Sequence, residues 1–176
     1  MTKVLSLLMF LPFLAGSGAR TDRQNEQQPS FEKIIFHTSA CYGFCSIYHL
    51  QVEADKSLYL FAETVYKTDK DISIQRDTTK TGYFTGTVND SLFAHLEQEL
   101  KTIGLDTLEF NGVSCCDGSM ITIIVYYNGK KKLLKSMFPP AKARKLIDIL
   151  YAICGKSNLT KADRKFYIEN ENPIMN

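Results

Sequence analysis

Ser46-Ile47-Tyr48-His49-Leu50-Gln51-Val52-Glu53-Ala54-Asp55-Lys56-Ser57-Leu58-Tyr59-Leu60-Phe61-Ala62-Glu63-Thr64 reads as two strands and the turn between them. Tyr48, Leu50, Val52 and Ala54 alternate with Ile47, His49, Gln51 and Glu53, the period-two pattern of a half-buried strand. Asp55-Lys56-Ser57 is a short polar turn, after which Leu58, Leu60 and Ala62 resume an inner face. So short a connection returns the chain antiparallel, because a parallel neighbour needs a crossover of about a dozen residues or more. A β-meander therefore stands at the centre of the fold.

Upstream, Lys33 to Thr38 is an apolar segment that reads as a further strand of the meander. Downstream, Lys67 to Lys80 is charged and polar and reads as a mobile excursion. Gly82 to Val88 is a strand bent at Gly82 or Gly86. Asn89-Asp90-Ser91 starts a helix, with Leu92, Leu96, Leu100 and Ile103 at helical spacing and Gly104 as its C-terminal cap. Met120 to Tyr127 and Lys130 to Met137 flank Asn128-Gly129, the strongest short hairpin signal. Pro139-Pro140 opens a second helix with Ala143, Leu146, Ile147, Leu150 and Cys154 as its apolar stripe and Gly155 as its end. The expected class is α+β, an antiparallel meander plus a hairpin with two helices packed on one face.

The chain has 176 residues, 44% of them hydrophobic, enough for one domain with a true core. Its formal net charge is +2, which gives no electrostatic case for nucleic acid. Lys130-Lys131-Lys132 with Lys135, Lys142, Arg144 and Lys145 is read as a solvated face. Val4 to Ala15 is an apolar run behind Lys3, and Ser17 and Ala19 fit a signal-peptidase site. The expected organisation is a signal peptide at 1–19, a flexible lead at 20–30, one domain at 31–155 and a polar tail at 156–176. In that tail Phe166, Tyr167, Ile168 and Ile174 are the positions able to dock. Cleavage would leave no integral membrane segment and place the domain outside the cytoplasm, periplasmic or secreted. Leu14-Ala15-Gly16-Ser17 has Ser where a lipoprotein box has Cys, so no lipid anchor is expected.

Cys41-Tyr42-Gly43-Phe44-Cys45-Ser46-Ile47-Tyr48 carries the most specific motif, with Gly43 read as the permissive residue of a tight reversal. It resembles the C-x-G-x-C-P-x-Y signature of the bacterial domain-of-unknown-function family 6438. Cys41, Gly43, Cys45 and Tyr48 match it, and Ser46 replaces the usual Pro, a departure expected to loosen the exit from the turn. The resemblance spans about Phe31 to Cys154 and implies a small extracytoplasmic α+β domain with no established activity.

A Cys41–Cys45 disulfide is the preferred cross-link, worth about 1–2 kcal/mol for so short a loop. Pairing of either thiol with Cys115 or Cys116 stays open, since spacing does not fix connectivity among 5 Cys. His37, Cys41, Cys45 and His49 form H-x3-C-x3-C-x3-H, with both His on one sheet face if the strands pair; this set is an alternative ligand cluster for zinc or copper. A thiol-exchange role for the pair is a third reading. Cys115-Cys116-Asp117 is a further candidate corner, and an enzyme centred on Asp117 is a second functional alternative. Cys154 reads as a small core hydrophobe, His95 as a surface residue, and Glu97 and Glu99 as helix-surface acids. The chain has no G-x-S-x-G, Walker, H-E-x-x-H or dinucleotide motif, so no cofactor is expected. The reading that follows is a non-enzymatic binding module for a protein, glycan or small-molecule ligand.

Overall fold

A computed structural model describes residues 31–67 and 75–171. The expected signal peptide and lead, Ile174 and half of the polar excursion fall outside these residues. Seven strands make one sheet: β1 Phe31–Thr38, β2 Ile47–Glu53, β3 Ser57–Thr64, β4 Gly82–Thr87, β5 Ile121–Tyr127, β6 Lys130–Ser136 and β7 Asn158–Lys161. Their order is β6-β5-β1-β2-β3-β4-β7, and every neighbouring pair is antiparallel. Two helices, α1 Asp90–Thr102 and α2 Arg144–Lys156, complete the α+β architecture.

The alternation sets the two faces. Ile34 and Phe36 of β1, Leu50 and Val52 of β2, and Leu58 and Leu60 of β3 point to the helices and are almost wholly buried. Phe93, Leu96 and Leu100 of α1 and Leu146, Leu150 and Ile153 of α2 close this core from above. Burying a Leu or Ile side chain stabilises by about 1.5–3 kcal/mol, so this front layer dominates stability.

The ends of the elements follow their local chemistry. Asn89 caps α1, its side-chain oxygen accepting the Leu92 N–H at 2.9 Å. Gly104, at φ +70°, takes the left-handed position that follows the helix. Asn128 and Gly129 both have positive φ, as the two-residue hairpin between β5 and β6 requires.

Three expectations are corrected. Gly155 does not end α2, which runs on to Lys156. Pro140 instead caps a single 3-10 turn, Ala141–Ala143, that leads into the helix. Glu99 is not a surface acid; it is buried on α1 and bonded to Lys145 Nζ of α2 at 2.7 Å, an ion pair tying the two helices. Third, residues 158–161 of the expected tail form β7, which extends the sheet beyond β4. This pairing explains Gly86, where a Cβ would lie 1.9 Å from the Asn158 carbonyl oxygen.

The polar excursion leaves and re-enters through a closed neck. Tyr66 bridges to Arg76, and the Asp77 N–H donates to the Val65 carbonyl at 2.7 Å. Cys154 is buried and free, and burial pushes its thiol pKa far up, so it behaves as a small core hydrophobe.

Candidate functional site

The face of the sheet turned away from the helices has a different composition. Ile35 of β1 and Ile124 of β5 are fully buried there, covered by Ile168 of the C-terminal segment. Glu169 anchors that segment. Its carboxylate accepts hydrogen bonds from Tyr126 at 2.6 Å, Lys131 at 2.7 Å and Lys33 at 3.3 Å, groups from β5, β6 and β1. Burial alone would raise the Glu169 pKa; the bonds from Lys131, Tyr126 and Lys33 reverse this and hold it at about 2. Lys135 of β6 pairs with Glu171 one step further on.

Beside this anchor, one row of side chains crosses the sheet. Cross-strand register places Lys135, Thr122, His37, His49, Phe61 and Tyr83 in line, from β6 to β4. The His49 and Phe61 rings are stacked at 5.4 Å, and Phe61 and Tyr83 at 4.3 Å. Phe166 from the C-terminal segment stands edge-on to Tyr83 at 5.1 Å. Floor and segment enclose a cleft of about 810 Å³.

The two histidines face each other as the register predicts, with Nδ1 atoms 2.9 Å apart. The partner of His37 Nε2 sets the role of that nitrogen. The Glu169 carbonyl, 2.7 Å from His37 Nε2, can only accept, so His37 donates from Nε2. Neutral His37 then offers a lone pair at Nδ1, and His49 donates to it. His49 Nε2 lies 3.3 Å from a Glu63 carboxylate oxygen. Burial pushes the His37 pKa below its ordinary value, the Glu169 carbonyl partly opposes this, and His49 adds to it.

Cys41 and Cys45 form a disulfide with Cα atoms 5.7 Å apart. This removes both thiols from the proposed His37, Cys41, Cys45, His49 ligand set, so the four-ligand centre is not assembled. Among the described residues no group of three or more His, Cys, Asp or Glu is placed to hold a metal.

The hairpin tip is braced on both sides. Thr38 Oγ1 donates to the Ser46 carbonyl and accepts from the Tyr48 N–H, closing its neck. Ser46 does not loosen the exit as expected; its Oγ accepts the Tyr66 N–H at 3.1 Å. Gly43 has no positive φ, and a Cβ there would meet only Cys41 Sγ at 3.7 Å, so the reversal does not depend on glycine. Tyr48 points to the helix face, edge-on to Tyr151 of α2, while Tyr42 and Phe44 are exposed at the tip.

Asp117 is exposed, and its carbonyl accepts the Tyr42 N–H at 3.1 Å. It does not line the cleft. Cys115 and Cys116 are exposed and free beside it, and the hydrogen bond between the two thiols raises the Cys115 pKa. His95 is exposed on α1.

Sequence reasoning found the His pair and named Phe166 as able to dock, but missed Phe61, Tyr83 and Glu169, which complete the site. An available signal was the apolar Ile35 and Ile124 on the second face of central strands, where something must cover them.

A search of curated proteins finds no match to the chain. The family model described as Domain of unknown function (DUF6438) matches residues 32–152, which hold the floor of the cleft but not the C-terminal segment above it. With that match covering more than half of its length, the chain belongs to the DUF6438 family.

Proposed function

We propose that this domain is an extracytoplasmic binding module whose ligand occupies the cleft between the row of rings and the C-terminal segment. The observation that carries the reading is the stacked His49–Phe61–Tyr83 floor beneath a cleft of about 810 Å³. Small-molecule sites typically measure about 300–1,000 Å³ and pair apolar walls with a few placed polar groups. Here the walls are rings, and the polar groups are His49 with Glu63 and Lys135 with Glu171. The occupant is a small molecule, or a short part of a glycan or peptide, with one flat apolar face and a polar edge.

Two features support the extracytoplasmic placement: the Val4 to Ala15 run with its Ser17 and Ala19 site, and the Cys41–Cys45 disulfide, which persists in oxidising compartments. Among the described residues no helix is long and apolar enough to cross a membrane.

The test is fluorescence titration of the full chain with 8-anilinonaphthalene-1-sulfonate, a planar amphipathic anion. The expected result is saturable 1:1 binding, weakened at least tenfold in Phe61→Ala and unchanged in Tyr42→Ala at the exposed tip. Non-saturable binding, or loss in Tyr42→Ala but not in Phe61→Ala, would overturn the cleft assignment. The intact mass of protein from its own compartment tests placement: a chain starting at Arg20 supports it, and a full-length chain in the cytoplasmic fraction refutes it.

A further inference from the structure

The loop joining α1 to β5 sets a pair of thiols beside a thioether whose sulfur accepts a backbone N–H of the same pair. Cys115 and Cys116 are adjacent, exposed and free, with Sγ atoms 2.8 Å apart. The Cys115 N–H donates to the thioether of Met137, 3.2 Å away, just beyond the end of β6. Both sides of the loop are fixed. The Met137 N–H donates to the Val113 carbonyl at 2.8 Å, and Asp117 accepts from Tyr42 in the disulfide-closed hairpin. Cys116 has a φ of +63°, a left-handed conformation that non-glycine residues seldom adopt. Backbone strain of this kind persists only where the surroundings hold it, and it gathers at functional positions.

We propose that Cys115, Cys116 and Met137 form a binding site for a soft monovalent cation of the Cu(I) class. Thiolate and thioether ligands together suit such ions; zinc also takes thiolates, but in four-ligand sets, and harder cations favour oxygen ligands. Two thiols and a thioether are its sulfur donors, and no three-residue His, Cys, Asp or Glu cluster competes among the described residues. A thioether sulfur carries two lone pairs. The Cys115 N–H takes one and leaves the other for the metal. On binding, Cys115 and Cys116 each lose the S–H proton to solvent and three sulfur–metal bonds form. The metal keeps its oxidation state, so no electron donor or acceptor is required. The ion would sit at the edge of the cleft, since Ser114 and Met137 line it. The proposal is independent of what the cleft holds.

The test is anaerobic native mass spectrometry of the full chain with one equivalent of Cu(I), or of Ag(I) as a redox-silent probe. Affinity is measured by competition with a coloured Cu(I) chelator, and alkylation protection is read by peptide mapping. The expected result is one ion per chain, loss of uptake in Cys115→Ser/Cys116→Ser, at least tenfold weaker binding in Met137→Leu, and unchanged binding in Cys154→Ser. Bound ion should protect Cys115 and Cys116 from iodoacetamide, a readout on the wild-type chain that does not depend on how any variant folds. The proposal is overturned by no uptake when both thiols are alkylatable, or by uptake that survives the double substitution. Equal affinity in Met137→Leu overturns the three-sulfur site. So does a Cys115–Cys116 disulfide that, once mildly reduced, leaves the chain metal-free.

Discussion

The two faces of this sheet are buried by opposite means. On the front, two amphipathic helices lay aliphatic side chains on aliphatic strands, and almost every contact is apolar. On the back, a segment without regular structure covers two isoleucines with one of its own and is anchored by a glutamate that collects bonds from three strands. Apolar burial is non-directional and tolerates approximate placement. A carboxylate anchor works only at one position, and it depends on pH. The front therefore sets global stability, and the back sets where the C-terminal segment lies and how wide the cleft is.

The largest expected effect lies on the front. Leu96 is fully buried, and Leu96→Ala should cost about 3 kcal/mol in urea unfolding, in the usual range for a core leucine. An effect below about 1 kcal/mol would mean that the front layer is not the dominant core.

On the back, Glu169→Ala leaves Lys33, Lys131 and Tyr126 without their shared acceptor. After discounting for solvent around the lysines, a loss of about 1–2 kcal/mol is expected. The distinguishing measurement is amide exchange. Protection should fall in residues 163–171 and on the exposed flank of β7, while α1 and α2 keep theirs; uniform loss would erase the contrast between the faces. The acid dependence follows from sign. The Glu169 pKa is depressed from 4.5 to about 2, so its contribution is present above pH 4.5 and is lost as pH falls toward 2.

Removing the tip disulfide with Cys41→Ser and Cys45→Ser together should cost about 1 kcal/mol, since the closed loop is short and its neck is held by Thr38 and Ser46. A loss several times larger, seen as a shifted urea midpoint, would show that the tip stabilises the domain more than its loop length allows.

The smallest effect is the titration of His37. Its pKa is lowered from 6.5, so the neutral form is the one the fold favours. Stability is complete above about pH 6.5 and declines as pH falls through that value, levelling off below the folded pKa. The decline should vanish in His37→Gln. Histidine ring NMR tests it directly: a His37 titration midpoint above 6.5 would contradict the assignment.

How much of this could be read from residues alone follows the same division. The front was legible because Leu50, Val52, Leu58 and Leu60 alternate, Asn128-Gly129 marks a hairpin, and both helices repeat at helical spacing. The His37–His49 juxtaposition was legible too, since pairing across a hairpin fixes both register and face. The rest was written in features without periodicity. β7 has four residues and only Leu159 is partly covered, so it is specified by backbone bonding to β4 and by the room Gly86 leaves. The segment over the cleft depends on one acid in a polar stretch, which looks like any solvated tail until Lys33, Tyr126 and Lys131 are known to converge.

The strand order has a consequence for how the chain reaches this state. β1 lies at the middle of the sheet between β2, its neighbour in sequence, and β5, which follows only after α1. Ile35 cannot meet Ile124 until most of the polypeptide has been made, and Ile168 arrives later still. Such distant pairings form slowly, because loop closure precedes any gain in contact. An emerging chain can pair β1, β2 and β3 early, but it exposes the unpaired edge of β1 until the β5–β6 hairpin docks. That delay keeps the polypeptide open during synthesis, so the late hairpin and not the early meander decides when the sheet closes.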